Sequence, residues 1–130
     1  MSTQQEQQQQ TKQLFLVVTW TIKPEHVDAW LEAEFEAWQT VFKQSECLFF
    51  EILRDPLKPN SFRLLECWNK DRDWFDNVQM KTKPYEILAA KTLGKDIIEE
   101  PLKIEYLERM GPSVKGSVVK KGYLDGTNKD

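Results

Sequence analysis

The order of apolar and polar positions divides the chain into alternating strand and helix patterns. Residues 14–22 form a β-branched and aromatic run that predicts a first strand. Pro24 and Glu25 suit the first turn of a helix, where a missing N–H costs little and an acid complements the dipole. Val27, Trp30, Leu31, Phe35, Trp38, Val41 and Phe42 then recur at helical spacing, which predicts a long amphipathic helix ending near Ser45. Residues 47–53 read as a second strand, residues 55–60, with two prolines, as a hairpin loop, and residues 62–68 as a third strand. Asn69, Lys70 and Asp71 are cap candidates for a short helix through Val78. A second helical piece runs from about Pro84 to a stop at Gly94, and residues 102–109 alternate as a fourth strand. This order predicts an α+β fold: a ferredoxin-like split βαβ with a four-stranded antiparallel sheet and the helices on one face.

Flanking this domain (residues 14–109) are two segments of different character. Residues 1–13 are glutamine-rich and of low complexity, the composition of a disordered tail. Residues 110–130 are rich in glycine, lysine and serine and read as a C-terminal arm or tail.

The three first strands carry apolar residues on both sides. In strand one, Leu16, Val18, Trp20 and Ile22 oppose Phe15 and Val17. A sheet with one wet face alternates apolar with polar. One chain's helices cover one face in this topology, so the other is expected to be covered by a second copy, giving a twofold homodimer.

Composition narrows the partners. Of 130 residues, 40% are hydrophobic and 30% charged, with a net charge of -3. That is a globular balance without the basic stripe that nucleic acid requires. No apolar run approaches the ~20 residues of a membrane span, and the polar start has no secretory apolar core, so a cytoplasmic protein is expected. Cys47 and Cys67 lie in apolar strand segments and are expected to be buried free thiols. One histidine and no CxxC pair argue against a zinc site.

Chemistry concentrates on strand three. Glu66 lies two residues from Trp68, so both project from one face, and by period two Trp20, Glu51 and Tyr106 are expected to share it. A carboxylate among apolar and aromatic neighbours has its pKa raised by desolvation and can serve as a general acid or base. Trp20, Trp68 and Trp74 are candidate walls for a planar aromatic ligand. Gln79, Lys81 and Tyr85 lie between the short helices and could stabilise a phenolate or enolate. Each has a plainer reading: Glu66 and Glu51 as solvated or paired carboxylates, Trp68 as core, Gln79 and Lys81 as loop surface. His26, exposed at a helix start, is no catalytic candidate, and the chain carries no serine triad, cysteine–histidine pair, phosphate loop or dinucleotide fingerprint.

Several stretches resemble the antibiotic-biosynthesis monooxygenase domain family, a family of dimeric α/β-barrel fold. They are Ile22-Lys23-Pro24-Glu25, Cys47-Leu48-Phe49-Phe50-Glu51, Arg54-Asp55-Pro56 and Phe62-Arg63-Leu64-Leu65-Glu66-Cys67-Trp68. The run from Trp74 to Lys83-Pro84-Tyr85 is similar to a fungal branch of that family. The resemblance implies a homodimer built through sheet faces, a pocket between sheet and helices with Trp68 among its walls, and cofactor-free chemistry on a bulky phenolic or polyketide-like molecule of secondary metabolism. It also leaves open a non-oxidative decarboxylase, cyclase or isomerase, and a non-catalytic dimeric ligand-binding protein. Where haem-degrading members carry a histidine ligand, this chain has Val78 or Gln79. Where the oxygenases carry an asparagine, it has Arg63 or Leu64.

Overall fold

A computed structural model describes residues 13–110. The glutamine-rich tail, except Gln13, and the arm beyond Met110 lie outside the described residues. The elements are β1 (Leu14–Ile22), a 3-10 turn (Pro24–His26), α1 (Val27–Val41), β2 (Cys47–Asp55), β3 (Lys58–Trp68), α2 (Arg72–Asn77), a second 3-10 turn (Gln79–Lys81), α3 (Lys83–Lys91) and β4 (Ile98–Glu108). The sheet order is β2-β3-β1-β4, and every neighbouring pair is antiparallel. β1 and β2 run the same way with β3 inserted between them, which is the split βαβ of a ferredoxin-like α+β domain.

The boundaries move for local reasons. α1 stops at Val41 rather than near Ser45, because its hydrogen bonds tighten to three-residue spacing: Lys43 donates to Thr40 and Gln44 to Val41. The expected six-residue hairpin loop shrinks to Pro56 and Leu57, with the Asp55 side chain accepting from the Leu57 N–H at 2.9 Å. Pro59 is tolerated inside β3 because it sits in a bulged stretch, beyond Ser61, where the pairing with β1 ends. β4 begins at Ile98 instead of Leu102, and Pro101 falls within its irregular pairing to β1 on the sheet edge. Asp71 caps α2 by accepting from Trp74 N–H at 2.9 Å.

The core lies between the sheet and the helices. Leu14, Leu16, Val18, Trp20 and Ile22 of β1 and Phe62, Leu64 and Trp68 of β3 meet Trp30, Trp38 and Val41 of α1 and Phe75 of α2. Aromatic rings dominate it. Trp30 lies 4.7 Å from Phe62 and 5.7 Å from Trp20, centroid to centroid, and Trp38 stacks on Phe50 of β2 at 3.6 Å. Rings of this size supply much of the buried area.

The far face of the sheet is graded. One rung, Phe49, Cys67, Phe15 and Leu107, is wholly apolar, and Phe15 stacks with Phe49. The next sets Leu65 and Val17 between Glu51 and Glu105, and the third is Leu53, Arg63, Thr19 and Lys103. The far face is thus apolar at the end near Phe15 and polar at the other. Cys47 and Cys67 are both buried thiols outside any disulfide, and burial pushes the Cys67 thiol up to about 11.

Trp30→Ala is expected to cost about 3–5 kcal/mol in urea unfolding, since it empties a fully buried aromatic site. Leu57→Ala, at a side chain 94% exposed on the hairpin, should stay within about 0.5 kcal/mol. A loss under about 1 kcal/mol for Trp30→Ala would show that this aromatic layer is not the core.

Candidate functional site

The register decides which side chains look toward the helices. Glu66 pairs with Leu16 on one side and Phe50 on the other, and Leu64 with Val18 and Ile52. These positions share the inner face, as do Tyr106 and Ile104, which pair with Leu16 and Val18 from β4. Above them lies a cavity of about 250 Å³, walled by Leu16, Val18, Trp20, Leu64, Leu102 and Ile104 from the sheet and Trp38, Phe75, Leu88 and Ala89 from the helices. Its polar side chains are Glu66 of β3, Tyr85 and Glu86 of α3, Glu34 of α1 and Thr92. No lysine, arginine or histidine lines it among the described residues.

Glu66 is 5% exposed. The Trp68 indole N–H donates to its Oε1 at 3.2 Å and the Tyr85 hydroxyl to the same oxygen at 3.3 Å. Burial pushes the carboxyl up to about 7, and the two donors temper that rise. The Tyr85 hydroxyl is itself held well above its usual range, by burial first and then by the charge of Glu66, so it remains a donor. A carboxyl that titrates near neutrality with a fixed phenol beside it is suited to taking and returning a proton.

A second carboxyl stands in the same cavity. Glu34 is fully buried, its Oε2 accepts from the Trp38 indole N–H at 3.1 Å, and its Oε1 has no partner. Burial, followed by the charge of Glu66, pushes it up to about 8, against the hydrogen bond from Trp38. Each acid is thus held by an indole from its own element. Reasoning from the chain had passed over Glu34. Its signal was there: it lies four residues from both Trp30 and Trp38, a carboxylate on the apolar stripe of an amphipathic helix.

The other sequence candidates divide. Trp20 lines the cavity, and its indole N–H is buried without a partner. Trp68 is wholly buried behind the wall, where it anchors Glu66 instead of facing the hollow, and Trp74 lies behind it at 5.9 Å. Glu51 pairs with Leu65 and points to the opposite face, because β2 carries an irregularity between Cys47 and Phe49 that shifts its parity. Tyr106 is on the inner face but borders a neighbouring hollow, its ring 3.6 Å beneath the Arg72 guanidinium. Gln79 is buried in a reciprocal amide pair with Gln44, at 2.8 and 3.0 Å, so its amide is engaged in tying the second 3-10 turn to the turn that follows α1. Lys81 is exposed and outside the cavity. Of the proposed catalytic set, only Glu66 and Tyr85 come together.

Among the described residues, no group of three or more histidines, cysteines or acids is placed to hold a metal ion, and no helix is long and apolar enough to cross a membrane.

Fold and site together define a ferredoxin-like α+β domain with an acid-bearing aromatic cavity between sheet and helices. A sequence profile of the family described as "Antibiotic biosynthesis monooxygenase" matches residues 13–80. The chain is 30% identical over 105 residues to the "Putative monooxygenase GME11364" of Pestalotiopsis microspora, covering 81% of this chain and 86% of that protein. It belongs to the antibiotic biosynthesis monooxygenase family. The fold matches that of a "Putative antibiotic biosynthesis monooxygenase from Nitrosomonas europaea", with a TM-score of 0.68 at 20% identity over 77% of this chain and 92% of that one. It also matches a conserved protein of Methanosarcina mazei, with a TM-score of 0.66 at 16% identity over 78% and 96%.

The two acids couple stability to pH with a definite sign. Their folded-state pKa values lie above the unfolded value of 4.5, so the folded chain binds more protons between pH 5 and 8. The stability these two groups contribute is therefore fully present below pH 4.5 and lost as pH rises through about 7 and 8. Glu34→Gln should flatten this fall, gaining on the order of a few kcal/mol over wild type between pH 5 and pH 9 in urea titrations. An unchanged slope would place Glu34 in a solvated setting.

Proposed function

We propose that this protein is a monooxygenase-type enzyme of secondary metabolism, acting without a cofactor on a bulky phenolic or polyketide-like molecule in the cytoplasm. The observation that carries the reading is Glu66: a buried carboxyl pushed up to about 7, hydrogen-bonded to Tyr85, facing an apolar cavity. Membership of a family named for monooxygenases supports it. In this reading Glu66 takes a proton from the substrate, and the electron-rich anion reacts with O₂. For an anthrone, one O₂ yields the quinone and one water. The apolar walls exclude water and orient the anion, and Tyr85 keeps Glu66 in place.

We further propose that two copies join through the apolar end of the far sheet face. Phe15, Val17, Phe49 and Leu65 are half-buried there, and Leu107 is 51% exposed. That end offers the apolar surface a partner would cover. Light scattering should give a mass of twice 15.4 kDa at micromolar concentration. A mass of 15.4 kDa refutes this part.

For the activity, oxygen uptake should follow addition of a phenolic anthrone, and Glu66→Gln should slow it about 10²–10⁴-fold, the size of a general-base contribution. Product formed without O₂ consumption would move the protein to the non-oxidative decarboxylase, cyclase or isomerase reading. Binding without any turnover would leave a ligand-binding protein.

A further inference from the structure

Glu34 is the one buried ionisable group of the cavity that the proposed reaction does not use. Its Oε2 is occupied by the Trp38 indole, its Oε1 is buried and unpartnered, and the residue is one of those that line the cavity. Buried polar atoms in folded proteins nearly always find a partner. A carboxyl oxygen left without one in a cavity wall is a group a ligand can satisfy. Trp20, whose indole N–H is also buried and unpartnered, lines the same hollow.

The ionisable groups around Glu34 limit its possible role. Glu66 faces the cavity from β3, Tyr85 and Glu86 from α3, and no cation lines it among the described residues. Two carboxylates in one apolar cavity repel each other, so the pair ionises stepwise. With Glu66 charged, Glu34 keeps its proton. A protonated carboxyl is a strong donor, and an ionised one repels any anion placed against it.

We propose that Glu34 is a second acid of the active site, which donates a hydrogen bond through Oε1 to the substrate oxygen that becomes negative when Glu66 acts as base. The inference rests on the reading of Glu66 given above. In the step concerned, the substrate O–H bond breaks and its electron pair stays on the substrate oxygen. The proton goes to Glu66, both of whose donors engage Oε1, so that Oε2 is the oxygen left to receive it. The cavity holds one negative charge before and after: first on Glu66, then on the substrate. Glu34 stays neutral throughout and stabilises the second location more than the first, which is the condition for catalysis rather than mere binding. While Glu66 is ionised, the arrangement also selects against ligands that arrive as anions, because its charge repels theirs.

Equilibrium binding tests this without turnover, read by quenching of tryptophan fluorescence, because Trp20 and Trp38 line the cavity. The first probe is 2-naphthol, which like tyrosine loses its proton only near pH ~10, so that pH effects below pH 9 belong to the protein. Its affinity should follow a bell, rising as Glu66 ionises and falling about tenfold towards pH 9 as Glu34 does. Glu34→Gln, which retains a donor, should remove the alkaline limb and keep the acid one. Glu66→Gln should remove the acid limb and move the alkaline limb to lower pH, since the charge raising Glu34 is gone. In wild type, 2-naphthoate should bind at least about tenfold more weakly than 2-naphthol. An alkaline limb that survives Glu34→Gln overturns the proposal. So does tighter binding of a naphthylmethyl-trimethylammonium probe as pH rises, which would make the two acids a cation site. Should Glu34→Gln fail to fold, a wild-type affinity for 2-naphthol that shows no alkaline limb up to pH 9 overturns the proposal. Failure of oxygen uptake with an anthrone would sink the oxygenase reading and leave these limbs untouched.

Discussion

The constraint on which this molecule turns is the burial of two carboxyl groups in a cavity with no lysine, arginine or histidine among its described walls. An ionised carboxylate in apolar surroundings is costly unless paired. Here neither acid has a cationic partner, and each is met instead by an indole N–H, Trp68 for Glu66 and Trp38 for Glu34. Those tryptophans are also the centre of the core, with ring centroids 6.3 Å apart. Packing and acidity are therefore linked: the rings that hold β3 against α1 also raise the acids by excluding water and orient them by hydrogen bonding.

The sheet imposes the second condition. Because side chains alternate, one register choice sends Glu66, Leu64 and Phe62 inward and Leu65 and Cys67 outward. The irregularity near Leu48 then sets β2, so that Phe50 and Ile52 join the inner face and Glu51 leaves it. The far face inherits the remaining residues, apolar near Phe15 and charged near Lys103. Helix α3 contributes differently. It buries none of its own residues fully, yet carries Tyr85 to Glu66 and Leu88 and Ala89 to the cavity.

Much of the fold was legible in the chain. The β-branched runs, the stripe from Trp30 to Val41, the Asp71 cap and the stop near Gly94 each signal an element through short-range physics. At Gly94 a side-chain carbon would come within 2.9 Å of the Ala90 carbonyl oxygen, so the glycine is required by close approach. Boundaries were less legible where prolines are absorbed by bulges, as at Pro59 and Pro101. The site was half legible. Glu66 and Tyr85 could be named because each belongs to a segment with a clear pattern, whereas Lys81 and Gln79 looked available and proved exposed and engaged.

What the amino-acid order determined by itself was the set of elements, their sequence along the chain and the position of Glu66 beside Trp68, all of which depend on neighbours within a few residues. What only the tertiary structure decided was which groups share a cavity. Glu34 and Glu66 are 32 positions apart, and nothing local links them; they meet because α1 lies across the inner face of β3. Their raised acidities follow from that meeting, because desolvation and charge repulsion act through space and not along the chain.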